Sequence, residues 1–370
     1  MNHFPRLVLA MASSAVSIAS LAAQSVTATN TVLGAGCIAS YASFYESFAT
    51  SGAFDLANSS ITMIPSAGGY FVLAGSSAYV PPSVTATTLA LGDDTEAIVA
   101  LTAPMPFPGG STNSLAVCSN GYVSVATGNG TAWTPATPAF LGAAQTGWWN
   151  WHDYNPAIVA GGRVKFEQVG AIAYVTWDGV WDFQGTTAAN ANTFQFQFDT
   201  STGFVHLVFQ TMSALGNARL VGYSPGGPNA NPGSTDLSVA LPLSFTVRGA
   251  DVLPLTVTAL TRPVTGTAWN IDVTNVPAAG VLGVDIIGFT DPGLNDLAFL
   301  GLPGCGLRTS LDLLSPWTPI GATHSYSLGI PANPAIVNIH LFTTSAVFVA
   351  GVNAFGAITG NGLDGKIGDV

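Results

Sequence analysis

Between residues 163 and 210 the chain alternates apolar and polar side chains at a period of two, and this pattern limits what it can fold into. The run Val164-Lys165-Phe166-Glu167-Gln168-Val169 leads through Gly170-Ala171 into Ile172-Ala173-Tyr174-Val175-Thr176-Trp177-Asp178. A two-residue connection with Gly first fits a type II′ turn, so a hairpin is predicted with Arg163 opposite Asp178 and Glu167 opposite Tyr174. Val164, Phe166, Ala173, Val175 and Trp177 then share one face, and Arg163, Lys165, Glu167, Thr176 and Asp178 share the other. A second hairpin, 193–199 with 204–210, sets Phe194 against Phe209, Phe196 against Leu207 and Phe198 against Val205. Its opposite face carries Gln195, Gln197 and His206, as in a sheet packed on one side and wet on the other.

Further short strands are read at 61–64, 70–73, 97–101, 114–117, 122–125 and 219–223, and then at 255–260, 269–273, 282–289, 325–330 and 336–342. The texture changes near 250–254, and 41–48 is the one helix-compatible stretch of the mature chain. The expected fold class is all-β: two antiparallel β-sandwich-type domains, 30–250 and 252–370, after a cleaved signal peptide. No repeat of propeller or solenoid length is apparent. Charge agrees, because only 7% of the 370 residues are charged, and long solvent-facing helices need charged faces. Eight Lys and Arg in a chain of net charge −11 also exclude a nucleic-acid binder that works through a basic patch.

Arg6 precedes an apolar run over 7–23 that ends in small residues, and Ser20-Leu21-Ala22 fits a small-x-small cleavage site. Residues 1–23 are therefore read as a secretory signal peptide, which predicts a secreted or cell-surface protein without a membrane span once it is removed. Segment 339–358 carries too many polar residues and glycines for a span and reads as strand, turn, strand. Export permits disulfides. Of the three cysteines, Cys37 and Cys118 are the expected pair, closing a loop worth roughly 4 kcal/mol in the chain-entropy picture. Cys305 reads as a buried small hydrophobe, and the spacing of the three gives no support for zinc or iron–sulfur binding.

The order of several short words resembles nidogen-like extracellular domains. These are Leu91-Gly92-Asp93-Asp94, Pro106-Phe107-Pro108-Gly109-Gly110, Cys118-Ser119-Asn120-Gly121-Tyr122-Val123-Ser124, Trp151-His152-Asp153, Val175-Thr176-Trp177-Asp178-Gly179-Val180 and Asn192-Thr193-Phe194-Gln195-Phe196-Gln197. The likeness covers about 90–225 and implies adhesion or envelope architecture with no catalytic residues to carry over. The C-terminal part, with Leu302-Pro303-Gly304-Cys305, Ile330-Pro331-Ala332-Asn333-Pro334 and Asn353-Ala354-Phe355-Gly356, resembles a terminal β-domain of secreted bacterial proteins. In that group a second cysteine often precedes the Pro-Gly-Cys word; it is missing here, which puts an intradomain disulfide at Cys305 in doubt.

The densest chemistry lies in Trp148, Trp149, Trp151, His152, Asp153 and Tyr154. Exposed tryptophan faces would stack on sugar rings while Asn and Asp bond the hydroxyls; buried, the same residues would plug the ends of a sandwich core. Asp93, Asp94 and Glu96, or the segment 291–296, could supply oxygen ligands to calcium, though the same residue types also build tight turns. No other cofactor is expected. Glu167 and Asp178 share a hairpin face but read as partners of Lys165 and Arg163 rather than as a glycosidase pair. No Gly-x-Ser-x-Gly elbow or phosphate-cradling loop is found, and the histidines are scattered. These features predict a surface, matrix or adhesive protein with an extracellular glycan or surface protein as partner; a carbohydrate-binding module using the aromatic strip and a secreted hydrolase using Asp153 or Glu167 are the alternatives.

Overall fold

The computed structural model describes residues 25–370 apart from Ala39 and Ala67, so the expected signal peptide at 1–23 lies outside the described residues. Among the described residues the fold is all-β, with antiparallel sheets and no closed barrel. It divides into two compact units, one of 37–254 and one of 25–36 with 255–370.

In the larger unit a nine-stranded sheet runs in the order Phe245–Val247, Gly69–Ala74, Ser60–Ser66, Val205–Thr211, Ala191–Asp199, Ile172–Asp182, Arg163–Val169, Thr87–Thr88, with Tyr154–Asn155 paired to Ile172–Asp182. A six-stranded sheet runs Phe44–Phe48, Arg219–Ser224, Gly147–Trp151, Tyr122–Val125, Gly110–Cys118, Glu96–Phe107. Both hairpins have the predicted register: Arg163 pairs with Asp178, Glu167 with Tyr174, Phe194 with Phe209, Phe196 with Leu207 and Phe198 with Val205. Gly170 has φ of 59° and Ala171 keeps a negative φ, as a type II′ turn requires. The inward phenylalanines and Trp177 meet Trp148, Val123, Leu115 and Tyr223 of the other sheet in one core. Trp177 and Phe194, paired across strands, stack with ring centres 4.7 Å apart.

Two expectations for this unit are corrected. Residues 44–48, part of the helix-compatible stretch, form a strand because they pair with Arg219–Tyr223 and bury four of five side chains. Pairing and burial override local propensity there. The outer face of the central hairpins is not wet throughout. Gln195 and Gln197 are buried because the segment around 78–80 crosses them: Gln195 Nε2 donates to the Val80 carbonyl, its Oε1 accepts Val80 N, and Gln197 Nε2 donates to the Ala78 carbonyl. Two glutamines thus supply to an extended segment the bonds that a further strand would have made.

In the smaller unit one sheet runs Thr29–Leu33, Gly362–Lys366, His340–Val349, Gly280–Gly288, Leu313–Trp317, with Ala357–Thr359 on His340–Val349. A three-stranded sheet runs Thr256–Ala259, Ala268–Thr274, Thr323–Gly329. Trp269, Ile271, Val273 and Val257 alternate inward and are buried with Val347, Ile358 and Leu363. Gly365 lies under the Trp269 ring, where a Cβ would stand 2.6 Å from the indole. The strand Thr29–Leu33, of which 30–33 fall in the range expected for the first domain, pairs with Gly362–Lys366.

The expected Cys37–Cys118 disulfide is also corrected. Cys37 is bonded to Cys305, and Cys118 is a free, fully buried thiol. Loop-closure entropy changes only slowly with loop length, so it could not choose between the possible pairs. Cys118 ends its strand inside an aromatic layer with Tyr122, Trp149 and Trp151, out of reach of a partner. Burial pushes its thiol up to about 12, so it is inert as well as unpaired.

Candidate functional site

Strand alternation decides the fate of the aromatic block. In Gly147–Trp151, Trp148 faces the inter-sheet core, while Trp149 and Trp151 face the other side of their sheet, under the short helix Thr137–Leu141 with Phe140. Trp149 stacks on Tyr122 at 4.3 Å and meets Phe140 edge-on at 5.7 Å. Trp148, Trp149, Trp151, His152, Asp153 and Tyr154 are all at most 5% exposed. The planar strip for sugar rings is therefore not formed, because each indole covers more apolar area in the core than water would leave it.

His152 is likewise committed. Its Nδ1 lies 2.9 Å from the Ala218 carbonyl and its Nε2 lies 3.0 Å from Asp182 Oδ1. Burial works against ionisation of Asp182, but the hydrogen bonds it makes with His152 and Asn192 outweigh it and hold the carboxyl below its ordinary value. The Tyr154 hydroxyl accepts from Asn150 Nδ2 at 3.0 Å.

Asp153 is different. Its backbone is fixed by Phe183 N, which donates to its carbonyl at 2.8 Å, while its carboxylate accepts no hydrogen bond from any described residue. That carboxylate reaches the carboxylates of Asp93 and Asp94, one oxygen of each lying within 4.8 Å of the others. Burial, and then the charges of Asp93, Asp94 and Asp182, push the Asp153 carboxyl up to about 7. Burial and Asp94 raise Asp93 as well.

The 91–96 turn that carries the first two carboxylates is tightly tied. Gly92 N donates to Thr95 Oγ1 at 2.7 Å, Thr95 N donates to the Asp93 carbonyl at 2.8 Å, and the Ser119 hydroxyl donates to the same carbonyl. Fully buried Asn120 joins the three segments: its Nδ2 donates to Asp94 Oδ1 at 2.8 Å and to the Thr131 carbonyl at 3.1 Å, and its Oδ1 accepts Tyr154 N at 3.1 Å. Trp133, Phe183, Gln184 and Asn217 complete a cavity of about 390 Å³ over the carboxylates. Gln184, one of these lining residues, holds a left-handed φ of 58°.

Of the expected calcium ligands, Asp93 and Asp94 are thus together and Glu96 is not; its carboxylate lies against Gly128, and Asp153 takes the third place. The change follows from register, since Glu96 already pairs with Cys118 at the start of its strand while Asp93 and Asp94 stay in the turn. The sequence groups Asp153 with the aromatic strip; the pairing of Tyr154–Asn155 with Trp181–Asp182, which fixes that segment, carries no local signal.

The other candidates are consumed structurally. Asp291 accepts Gly293 N, and Asp296 accepts Ala298 N and Gly304 N, which is turn chemistry. Glu167 accepts Ser83 N, Asp178 pairs with Lys165 at 2.7 Å, and Arg163 donates to the carbonyls of residues 158, 161 and 162. Asp153 and Glu167, named for a hydrolase, do not belong to one group.

Fold and site together define an all-β protein of antiparallel sheets with a carboxylate-lined cavity in its larger unit. Comparison with family models, curated proteins and solved structures gives no match.

Proposed function

We propose that the chain is an exported surface, matrix or adhesive protein, in which unit 37–254 binds a glycan or surface protein and the other unit serves assembly or attachment. The observation that carries this reading is the Cys37–Cys305 disulfide, a bond that persists in oxidising compartments outside the cytoplasm. The leader-like segment 1–23 and the resemblance of 90–225 to nidogen-like domains support the same reading. Further support comes from the internal use of the polar groups a reaction centre would need: His152, Asp182, Glu167 and Asp178 are each tied into the fold. No helix among the described residues is long and apolar enough to cross a membrane.

The test is expression of the full chain with its own N-terminus, followed by intact mass and thiol counting on each cell fraction. Export predicts a chain shortened by about the first 23 residues, lighter by two hydrogens for the disulfide, with one thiol. A full-length cytoplasmic chain with three thiols would sink the proposal. For the binding role, the labelled mature protein should bind saturably to a polysaccharide- or protein-coated surface; binding to none would remove the adhesive part.

A further inference from the structure

We propose that Asp93, Asp94 and Asp153 form a binding site for a divalent cation of the calcium type, on the wall of the cavity shared by Trp133, Gln184 and Asn217. The inference stands on this geometry and does not depend on export.

Asp153 carries the case. It is 5% exposed, its carboxylate faces two others, and no described residue donates to it. A carboxylate so nearly buried, with no donor or cation against it, loses most of its hydration and receives nothing from the protein in exchange. Asp93 shows the same lack at a fully dry atom, because its Oδ1 is buried and accepts no hydrogen bond. None of the three carboxylates forms an ion pair among the described residues. In Glu46, Asp55 and Asp236 the buried member has an internal use, since Glu46 Oε2 accepts Leu237 N at 2.9 Å.

The ligands are also held in place before any ion arrives. Ser119 and Thr95 fix the turn of Asp93 and Asp94, Asn120 ties that turn to the backbone at Tyr154, and Phe183 N fixes the Asp153 carbonyl. Three carboxylates are a hard, all-oxygen set, and the cavity above them has room for water and the side-chain oxygens of Gln184 and Asn217. Calcium, with six to eight oxygens in flexible geometry, suits such a half-open site better than magnesium, which demands a near-ideal octahedron.

Terbium luminescence on the full mature chain, stripped with EDTA, tests this directly, because Trp133 is 48% exposed in the cavity wall and can sensitise a bound ion. Expected are one Tb³⁺ per chain, displacement by Ca²⁺ in preference to Mg²⁺, and a thermal midpoint that Ca²⁺ raises and EDTA lowers. Asp94→Asn changes an exposed side chain and should weaken Ca²⁺ binding at least about tenfold, a loss of one charge–ligand contact. Asp153→Asn should abolish the calcium-dependent rise in midpoint while the EDTA form melts no lower than wild type. If that variant does not fold, Asp94→Asn decides alone. Trp133→Phe should dim the luminescence and leave the calcium-dependent midpoint intact. A wild-type protein whose midpoint ignores millimolar Ca²⁺, or a calcium response that survives in both aspartate variants, would overturn the proposal.

Discussion

Asp182 and Arg219, opposite charges buried in the larger unit, form no direct ion pair: Asn192 stands between them. Its Nδ2 donates to Asp182 Oδ1 at 2.7 Å, and its Oδ1 accepts Arg219 Nη2 at 3.2 Å. The guanidinium also lies over the Phe54 ring at 4.8 Å and near the Tyr154 ring at 5.5 Å. A buried cation so arranged depends on every member of the relay. Asp182→Ala should cost about 3–5 kcal/mol by leaving Arg219 uncompensated, read by chemical denaturation at neutral pH. Because the folded Asp182 carboxyl lies below its ordinary value, its contribution is complete above about pH 4 and is lost as pH falls through the folded value. Asp182→Asn should therefore flatten the acid limb of the stability curve; an unchanged limb would contradict the relay.

Glu46 predicts the opposite slope. Burial, with Asp55 and Asp236 nearby, pushes its carboxyl up to about 7, so the folded state holds its proton longer than the unfolded chain. Stability should fall as pH rises from about 4.5 to above 7, by on the order of 1–3 kcal/mol. Glu46→Gln, which can still accept Leu237 N, should remove that fall and melt higher than wild type at pH 8.

The tryptophans of the 148–151 strand should behave as core. Trp149→Ala removes the ring stacked on Tyr122 and should cost about 3–5 kcal/mol in a denaturant titration. Intrinsic fluorescence of the folded wild type should not shift with soluble polysaccharide through these rings. A well-folded Trp149→Ala that had lost a sugar-dependent shift would contradict their burial.

Thiol chemistry separates the cysteines. Native protein should show no thiol reactive to Ellman's reagent, and unfolded, unreduced protein should show one, from Cys118. Cys305→Ser should destabilise by on the order of 5 kcal/mol, as expected for opening a very long loop.

Gln195 and Gln197 make a local prediction. Gln195→Ala removes both of its bonds to Val80, at about 1–3 kcal/mol for buried groups left unpaired. Amide exchange should rise over 76–86 with little change in the central strands, whereas a uniform rise would mean the segment is not held as a separate element.

How much of this was legible beforehand depended on range. Period-two alternation over 163–178 and 193–210 determined strand identity, face and residue-by-residue register, because the turn and the pleat are local and a slip by one would turn Phe194, Phe196 and Phe198 to the wrong side. Charge poverty and short runs between turns likewise determined the all-β class. Tertiary structure alone decided what lies on each face: that Gln195 is covered by Val80, that Trp149 and Trp151 are roofed by the 137–141 helix, and that Thr29–Leu33 pairs with Gly362–Lys366. It alone set Cys37 with Cys305 and turned Asp153 away from the tryptophans toward Asp93 and Asp94. Such choices depend on groups tens to hundreds of residues apart, where burial, loop closure and competing partners settle the outcome and no spacing in the sequence records it.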